Sequence, residues 1–130
     1  MSIEMLSKNF SRDEWKCKHC DKCNVHPVLI ELVQEIRDRL ERPLFISSGY
    51  RCSAHPVEAM KEKGPGEHTT GMAVDIIAYG QTALFIIAMA QQLGCRRIGL
   101  HQRGRVSGRF IHLGIADKTM AEYPVALWTY

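Results

Sequence analysis

A histidine and an aspartate stand on either side of a glycine in the segment HTTGMAVD, which covers residues 68–75. His68 closes a glycine-rich loop and Asp75 lies on the segment that follows, so a turn can bring both side chains to one point. Imidazole nitrogen and carboxylate oxygen are both zinc ligands, and a catalytic zinc usually has three protein ligands with water in the fourth position. The spacing therefore predicts two ligands of a metal site that needs a third.

His112 is the candidate third ligand, because it stands in the otherwise apolar run FIHLGI at residues 110–115. An imidazole among apolar side chains is costly unless it finds a polar partner. Spacing alone leaves a second interpretation open. In that interpretation His68 is a solvated loop residue, Asp75 accepts hydrogen bonds in a turn, and His112 is a hydrogen-bonded core histidine.

Three of the five cysteines form a C-x-x-C-x-x-C run at Cys17, Cys20 and Cys23. In a chain without a secretion signal, such close spacing indicates metal binding more than disulfides. A structural zinc needs a fourth ligand, for which the chain offers Cys52, His19 and His26. Cys52 is the preferred candidate because it would tie the N-terminal segment to the turn that positions Arg51. A disulfide and reduced thiols are the alternatives.

Three motifs follow one another along the chain: SGYR at 48–51, HTTGMAVDI at 68–76 and FIHLGI at 110–115. In these motifs the chain resembles the zinc D-alanyl-D-alanine carboxypeptidases and the related phage endolysins, whose fold the hedgehog signalling domain shares. The lead-in NFSRDEWKCKHC and the closing ALWTY resemble the small phage and prophage members, so the likeness covers nearly the whole chain. The resemblance implies that His68, Asp75 and His112 hold a catalytic zinc.

The resemblance also implies a role for the SGYR motif. It places Arg51 on the arginine that binds the substrate carboxylate or polarises the scissile carbonyl, and we assign Ser48 of the same motif to substrate binding. A guanidinium offers a planar pair of donors to a carboxylate and can stabilise the oxyanion of a tetrahedral intermediate. Without the resemblance, Arg51 would be interpreted as a surface arginine after a turn.

The chain departs from its relatives where they carry the general base. Relatives usually place a glutamate three residues, or a histidine two residues, before the last histidine ligand, where this chain has Arg109 and Phe110. Many small members also have an acidic residue two positions after that ligand, where this chain has Gly114. A base must therefore come from elsewhere in the sequence.

The expected hairpin offers a substitute base. We expect Gln102 to pair with Ile111, which leaves RVSG as the loop between the two strands. His101 then lies opposite His112 and projects to the same face. An imidazole with a pKa of about 6.5 suits proton transfer at neutral pH. We therefore predict His101 as base or acid, and Glu67 as the second candidate, although a slip of one residue would turn His101 away.

The elements that must position these residues follow from hydrophobic periodicity. Apolar residues at helical spacing after Pro27 predict a helix that ends before Pro43, and Ser11 with Glu14 predicts a short capped helix. The other predicted elements are strands over 43–50, 72–77, 96–102 and 109–115, and helices over 53–64 and 81–93. This order predicts one α+β domain over residues 1–130, with a small antiparallel sheet packed with helices and the cysteine-rich segment 11–26 included.

Composition agrees with a single globular domain. The chain has 130 residues, of which 45% are hydrophobic and 24% charged, and its net charge of +3 carries little weight. The N-terminus lacks a basic start followed by an apolar run, and the longest apolar run is far shorter than the roughly 20 residues of a membrane span. We expect synthesis in the cytoplasm without a signal peptide, and action on the cell wall after release by a phage lysis or secretion system.

These observations predict a zinc metallopeptidase that cleaves an amide bond in the peptide stem of bacterial peptidoglycan, either at the terminal D-alanine or within the stem. The alternative is a catalytically impaired zinc module of the same fold that binds cell-wall peptide or a protein partner. We expect no nucleic-acid partner, because acidic as well as basic residues flank the cysteine run and no aromatic stacking platform accompanies it. The bond that is cut and the oligomeric state stay open.

Overall fold

A mixed β-sheet forms the centre of the protein, and a computed structural model describes residues 3–61 and 66–130. Five strands of the described part make up the sheet, in the order β1-β2-β4-β3-β5. The strands are β1 (Phe45–Ser48), β2 (Ala73–Ile77), β3 (Arg97–His101), β4 (Phe110–Gly114) and β5 (Ala126–Thr129). The helices described are α1 (Arg12–Trp15), α2 (Pro27–Leu40), α3 (Pro56–Ala59) and α4 (Gly80–Gln92). The α+β prediction is confirmed.

The sheet is antiparallel except at one edge. Strands β1, β2, β4 and β3 pair antiparallel in that order, which includes the predicted hairpin of β3 and β4. Strand β5 pairs parallel with β3, because the chain crosses back after β4 and adds β5 to the edge of β3. The prediction of an antiparallel sheet therefore missed β5, which is the one parallel strand in the described part of the chain.

One face of the sheet packs against α2 and α4 and carries the hydrophobic core. The apolar stripe of α2 is fully buried at Leu29, Val33 and Ile36, as the helical spacing predicted. Pro27 stands in the first turn of this helix, and the backbone turns left-handed at Glu41 just after its last residue. Burial of each such side chain contributes roughly 1.5–3 kcal/mol, so this face stabilises the sheet on which the site residues lie.

The N-terminal segment packs against the turn after β1. The predicted capping box is present, since the Ser11 N–H donates to Glu14 Oε2 at 2.6 Å. It starts α1, whose last residue, Trp15, is fully buried. Gly49 passes so close that a Cβ on it would lie 2.4 Å from the Trp15 carbonyl oxygen, and the Tyr50 N–H donates to that oxygen at 2.9 Å. A glycine is required here for the segment to approach the turn.

The short helix predicted over 53–64 is shorter in the structure. Helix α3 covers Pro56–Ala59 and is capped by His55, whose side chain accepts from the Val57 N–H, instead of by Ser53. The predicted end of this helix at Gly64 lies outside the described residues. Among residues 3–61 and 66–130, no helix has both the length and the apolar character that crossing a membrane requires.

The register of the β3–β4 hairpin differs from the prediction by two residues. His101 pairs with Phe110, and Gly99 lies opposite His112. The connection holds a short 3-10 turn at Val106–Gly108, and the Gln102 side chain donates to carbonyl groups instead of extending the ladder. Because the difference is even, His101 stays on the same face of the sheet as His112. It lies two positions along the ladder from the Gly99–His112 pair.

Candidate metal centre

Three side chains meet on the sheet face opposite the core. Asp75 on β2 pairs with His112 on β4, so both project from the same face. His68 comes from the 3-10 turn Glu67–Thr70, which Gly71 ends with a left-handed backbone. Asp75 Oδ1 lies 3.0 Å from His112 Nδ1 and 3.3 Å from His68 Nε2. The three predicted ligands therefore come together, and all three are buried.

A backbone carbonyl fixes the ring of His68. The Nδ1 of His68 lies 2.8 Å from the Gly49 carbonyl oxygen, to which a protonated Nδ1 would donate. This arrangement favours the tautomer that leaves Nε2 as a lone-pair donor pointing toward Asp75 and His112. The SGYR motif thus orients a ligand through Gly49 as well as carrying Arg51.

A carboxylate fixes the ring of His112. The Nε2 of His112 lies 2.9 Å from Glu67 Oε1, which leaves Nδ1 facing Asp75. Burial lowers the pKa of His112, but the hydrogen bonds to Asp75 and Glu67 outweigh it and raise that pKa above its ordinary value. Histidine ligands of metals typically donate their second nitrogen to such an acceptor. Glu67 occupies that position here.

The donor set fits a zinc ion. Two imidazole nitrogens and one carboxylate oxygen lie within 4.8 Å of one another, and each imidazole has its other nitrogen engaged by an acceptor. Burial raises the pKa of Asp75, but its interactions with His112 and His68 hold that pKa below its ordinary range, so the carboxylate is ionised. His68, Asp75 and His112 would supply the three protein ligands of a catalytic zinc.

Glu67 is held by more than His112. Its Oε2 accepts a hydrogen bond from the Ala116 N–H at 3.1 Å. The same oxygen forms an ion pair with Arg97 Nε at 3.0 Å, although the Nε–H is not aligned for a hydrogen bond. Burial raises the pKa of Glu67, but His112, the Ala116 N–H and Arg97 together lower it. The carboxylate also fills the space above Gly114, where a Cβ would lie 2.2 Å from both of its oxygens.

Arg51 lies beside the three ligands and is held by a buried glutamate that sequence reasoning missed. Arg51 Nη1 donates to Glu58 Oε2 at 3.0 Å, and Arg51 Nη2 lies 3.9 Å from Asp75 Oδ2. Burial raises the pKa of Glu58, but the Gly66 N–H, Lys61 and Arg51 lower it to about 2. Nothing in the spacing of Glu58 indicated this contact, because it depends on how α3 packs.

A cleft of about 420 Å³ opens over the ligands. Trp128 on β5 lies against Gly99, where a Cβ would meet its ring at 2.5 Å, and its ring centre is 5.0 Å from that of His112. The Arg97 guanidinium lies 5.2 Å from the Trp128 ring centre. A glycine within a strand signals such a close approach, so Gly99 was the available clue. The cleft is lined by Arg51, Val57, Lys61, Gly66, Glu67, His68, Asp75, Arg97, Phe110, His112, Tyr123, Trp128 and Tyr130.

Two predicted site residues lie apart from the ligands. His101 stacks on Phe110 with ring centres 4.8 Å apart, and its Nδ1 is buried without a hydrogen-bond partner among the described residues. The predicted pairing of His101 with His112 is wrong, and His101 is not among the residues that line the main cleft. Ser48 lines a separate recess of about 90 Å³, together with Arg51 and His55, and is not among the residues of the main cleft.

The structure brings together three of the four predicted cysteine ligands. The sulfurs of Cys17, Cys20 and Cys52 lie within 4.8 Å of one another, whereas Cys23 packs against the hydrophobic core. Backbone N–H groups point at the Cys17 sulfur from His19, Cys20 and Cys52. Burial raises the pKa of the Cys17 thiol, but these donors outweigh burial and lower it to about 7.

Comparison with known proteins agrees with the site. A family model described as peptidase M15 matches residues 5–114, a range that contains the three ligands, Arg51 and Glu67. Neither a curated protein nor a solved structure matches the chain. The M15 peptidases depend on zinc, and His68, Asp75 and His112 form a candidate donor set for such an ion. The chain belongs to the peptidase M15 family.

Proposed function

We propose that the protein hydrolyses an amide bond in the peptide stem of bacterial peptidoglycan, either as a D-Ala-D-Ala carboxypeptidase or as an endopeptidase of the endolysin type. The observation that carries this proposal is the convergence of His68, Asp75 and His112 beside the guanidinium of Arg51 in one cleft. Release to the cell wall by a phage lysis or secretion system belongs to the same proposal.

The chemistry divides between the metal and the residues around it. A bound zinc would supply a Lewis acid that lowers the pKa of a water molecule and polarises a carbonyl group. Arg51 borders the same cleft, and Glu58 holds one of its terminal nitrogens at 3.0 Å. A guanidinium fixed in this way can bind a substrate carboxylate or stabilise the oxyanion that forms during hydrolysis.

Cations and aromatic rings on the cleft wall support a peptide substrate that carries carboxylates. Arg51, Lys61 and Arg97 contribute positive charge to the lining, and Trp128 and Tyr130 contribute flat apolar surface. Stem peptides of peptidoglycan carry free carboxylates and short aliphatic side chains. Arginine forks bind carboxylates with two donors, and aromatic faces contact aliphatic groups, so the lining matches this class of substrate.

We assign Glu67 to orienting His112 and not to proton transfer. A general base needs a lone pair that faces the reacting proton. The Glu67 carboxylate already faces His112, the Ala116 N–H and Arg97. The positions where relatives carry a base contribute none, since Arg109 donates to the Gly104 carbonyl and Phe110 stacks on His101. The lack of a general base at these two positions favours the second candidate function, a zinc module that binds cell-wall peptide or a protein partner without cleaving it.

Mass spectrometry of peptidoglycan fragments separates the two functions. Purified fragments are incubated with zinc-loaded protein, with and without a chelator, and with His112→Ala as the matched control. Loss of D-alanine or a cut within the stem, abolished by the chelator and by His112→Ala, is the expected result and identifies the bond. Protein with full zinc content and no product would overturn the peptidase proposal in favour of the binding module.

A further inference from the structure

A second cluster of metal-binding side chains lies outside the cleft, where the N-terminal segment meets the turn after β1. We propose that it binds a second zinc ion with a structural role, which takes no direct part in the chemistry of the cleft. The proposed ligands are Cys17, Cys20, Cys52 and His19. This set keeps three of the four residues that the cysteine spacing indicated and replaces Cys23 with His19.

Three cysteine sulfurs lie close together in the fold. All five cysteines are free thiols, yet the sulfurs of Cys17, Cys20 and Cys52 lie within 4.8 Å of one another. Cys52 is far from the other two in sequence, so the fold brings it there. His19 Nδ1 lies 3.4 Å from the Cys52 sulfur, although it is outside the group of three mutually close sulfurs, and it is the proposed fourth donor. Three thiolates and one imidazole form a common tetrahedral zinc site.

Backbone hydrogen bonds close a turn between Cys17 and Lys22. The Cys17 N–H donates to the Lys22 carbonyl at 2.8 Å, and the Asp21 N–H donates back to the Cys17 carbonyl at 2.9 Å. Asp21 has a φ of 63°, the left-handed conformation that closes this turn. The Cys52 N–H donates to the Cys17 sulfur at 3.3 Å. Donors that converge on a sulfur stabilise the thiolate, which is the form that binds a metal.

Cys23 is built into the structure differently. It follows the turn in sequence, but its side chain packs against the hydrophobic core, and its sulfur is not part of the gathered group. The last cysteine of the run therefore acts as an apolar side chain, which makes Cys23 a matched control for Cys20 in the same segment.

The site would fix the turn that carries Arg51. Cys52 is the next residue after Arg51, and the Arg51 N–H donates to the His68 carbonyl at 3.2 Å. An ion shared by Cys17 and Cys52 would hold the N-terminal segment against this turn, where Gly49 and Trp15 already touch. A metal that joins distant parts of a chain stabilises the folded state by its binding free energy.

Metal content tests the proposal. Protein refolded with excess zinc and freed of unbound metal by gel filtration should contain two zinc ions per chain, with one in Cys20→Ser and two in Cys23→Ser. His112→Ala should also contain one, and in cobalt-substituted form it should keep the thiolate-to-cobalt absorption that Cys20→Ser loses. His19→Ala should bind the second ion at least tenfold more weakly.

Several results would overturn the site. Cys20→Ser with the same metal content as Cys23→Ser would remove it, and so would alkylation under non-reducing conditions that reveals a disulfide among these cysteines. Unchanged affinity in His19→Ala would remove His19 from the ligand set. None of these results affects the cleft ion, which is the one that His112→Ala lacks, so failure of this site is distinguishable from failure of the proposed peptidase.

Discussion

The carboxylate of Glu67 fills the space that a side chain on residue 114 would need. A Cβ on Gly114 would lie 2.2 Å from both carboxylate oxygens of Glu67, and one of those oxygens is 2.9 Å from His112 Nε2. Similar small peptidases often carry an acidic residue two positions after the last histidine ligand, which is position 114 here. The glutamate before the first ligand and the glycine after the last therefore form a complementary pair.

Transferring the carboxylate from residue 67 to residue 114 should preserve the metal site. Glu67→Ala should weaken zinc binding at His68, Asp75 and His112 by about 10–100-fold, the usual cost of losing the partner of a histidine ligand. Adding Gly114→Asp to that variant should restore most of the affinity. Zinc content at free-zinc concentrations set by a chelator buffer measures this, with His112→Ala as the variant that lacks the site.

Gly114→Asp alone is the control for the exchange. It should unfold at lower temperature than the wild type, because its side chain meets the Glu67 carboxylate. A double variant that binds zinc no more tightly than Glu67→Ala would contradict the orienting role of Glu67.

Arg51 should contribute to turnover and not to metal binding. Arg51→Ala should lower kcat/KM for a stem peptide by about 10²–10³-fold, as the loss of a group that stabilises an oxyanion does, with zinc content unchanged. Arg51→Lys should recover little of this, because an ammonium lacks the planar fork. Arg105→Ala, at an exposed position outside the cleft, is the matched control. Arg51→Ala activity within threefold of the control would remove Arg51 from the site.

His101 tests how much the hairpin register matters for catalysis. Its ring stacks on Phe110, with which it pairs two positions away from His112. Because proton transfer requires contact with the reacting atoms, His101→Ala should retain zinc and keep turnover within about fivefold of the wild type. Steady-state kinetics over a range of pH measures this. A loss of a hundredfold or more with zinc still bound would reinstate His101 as base or acid.

Glu58 should make stability depend on pH in the acid range. Its pKa is about 2 in the folded protein and 4.5 in an unperturbed chain, so its contribution is complete above about pH 4.5 and is lost as the pH falls toward 2. The free energy of unfolding should therefore decrease by up to about 1.4 kcal/mol per pH unit in this window from this group. Denaturant unfolding of wild type and Glu58→Gln between pH 5 and pH 2.5 measures it. Parallel curves for the two proteins would contradict the assignment.

Most of the elements were predictable because they follow local patterns, and the three candidate ligands were named from motifs that resemble a known family. The stripe of α2 and the alternation of β2 are periodic in sequence, and each ligand stands in a short motif. The register between His101 and Phe110 was not predictable, because the connection is no two-residue turn and its length does not fix the pairing.

The contacts that orient the site were also beyond sequence reasoning. Glu67 meets Ala116, Arg97 and Gly114 across long separations in sequence, and no spacing rule relates them. Strand β5 was missed because it is short, its side chains at Leu127 and Thr129 are exposed, and none of its residues is fully buried.

The central claim is that an ion held by His68, Asp75 and His112 drives hydrolysis of the stem peptide. Its most direct test is to strip the protein of metal, add zinc in steps, and follow the cleavage products by mass spectrometry at each step. Product formation should rise with zinc to a plateau in the wild type and should be absent from His112→Ala at every zinc concentration. Cleavage by the stripped protein in the presence of a chelator, or cleavage by His112→Ala at the rate of the wild type, would contradict it.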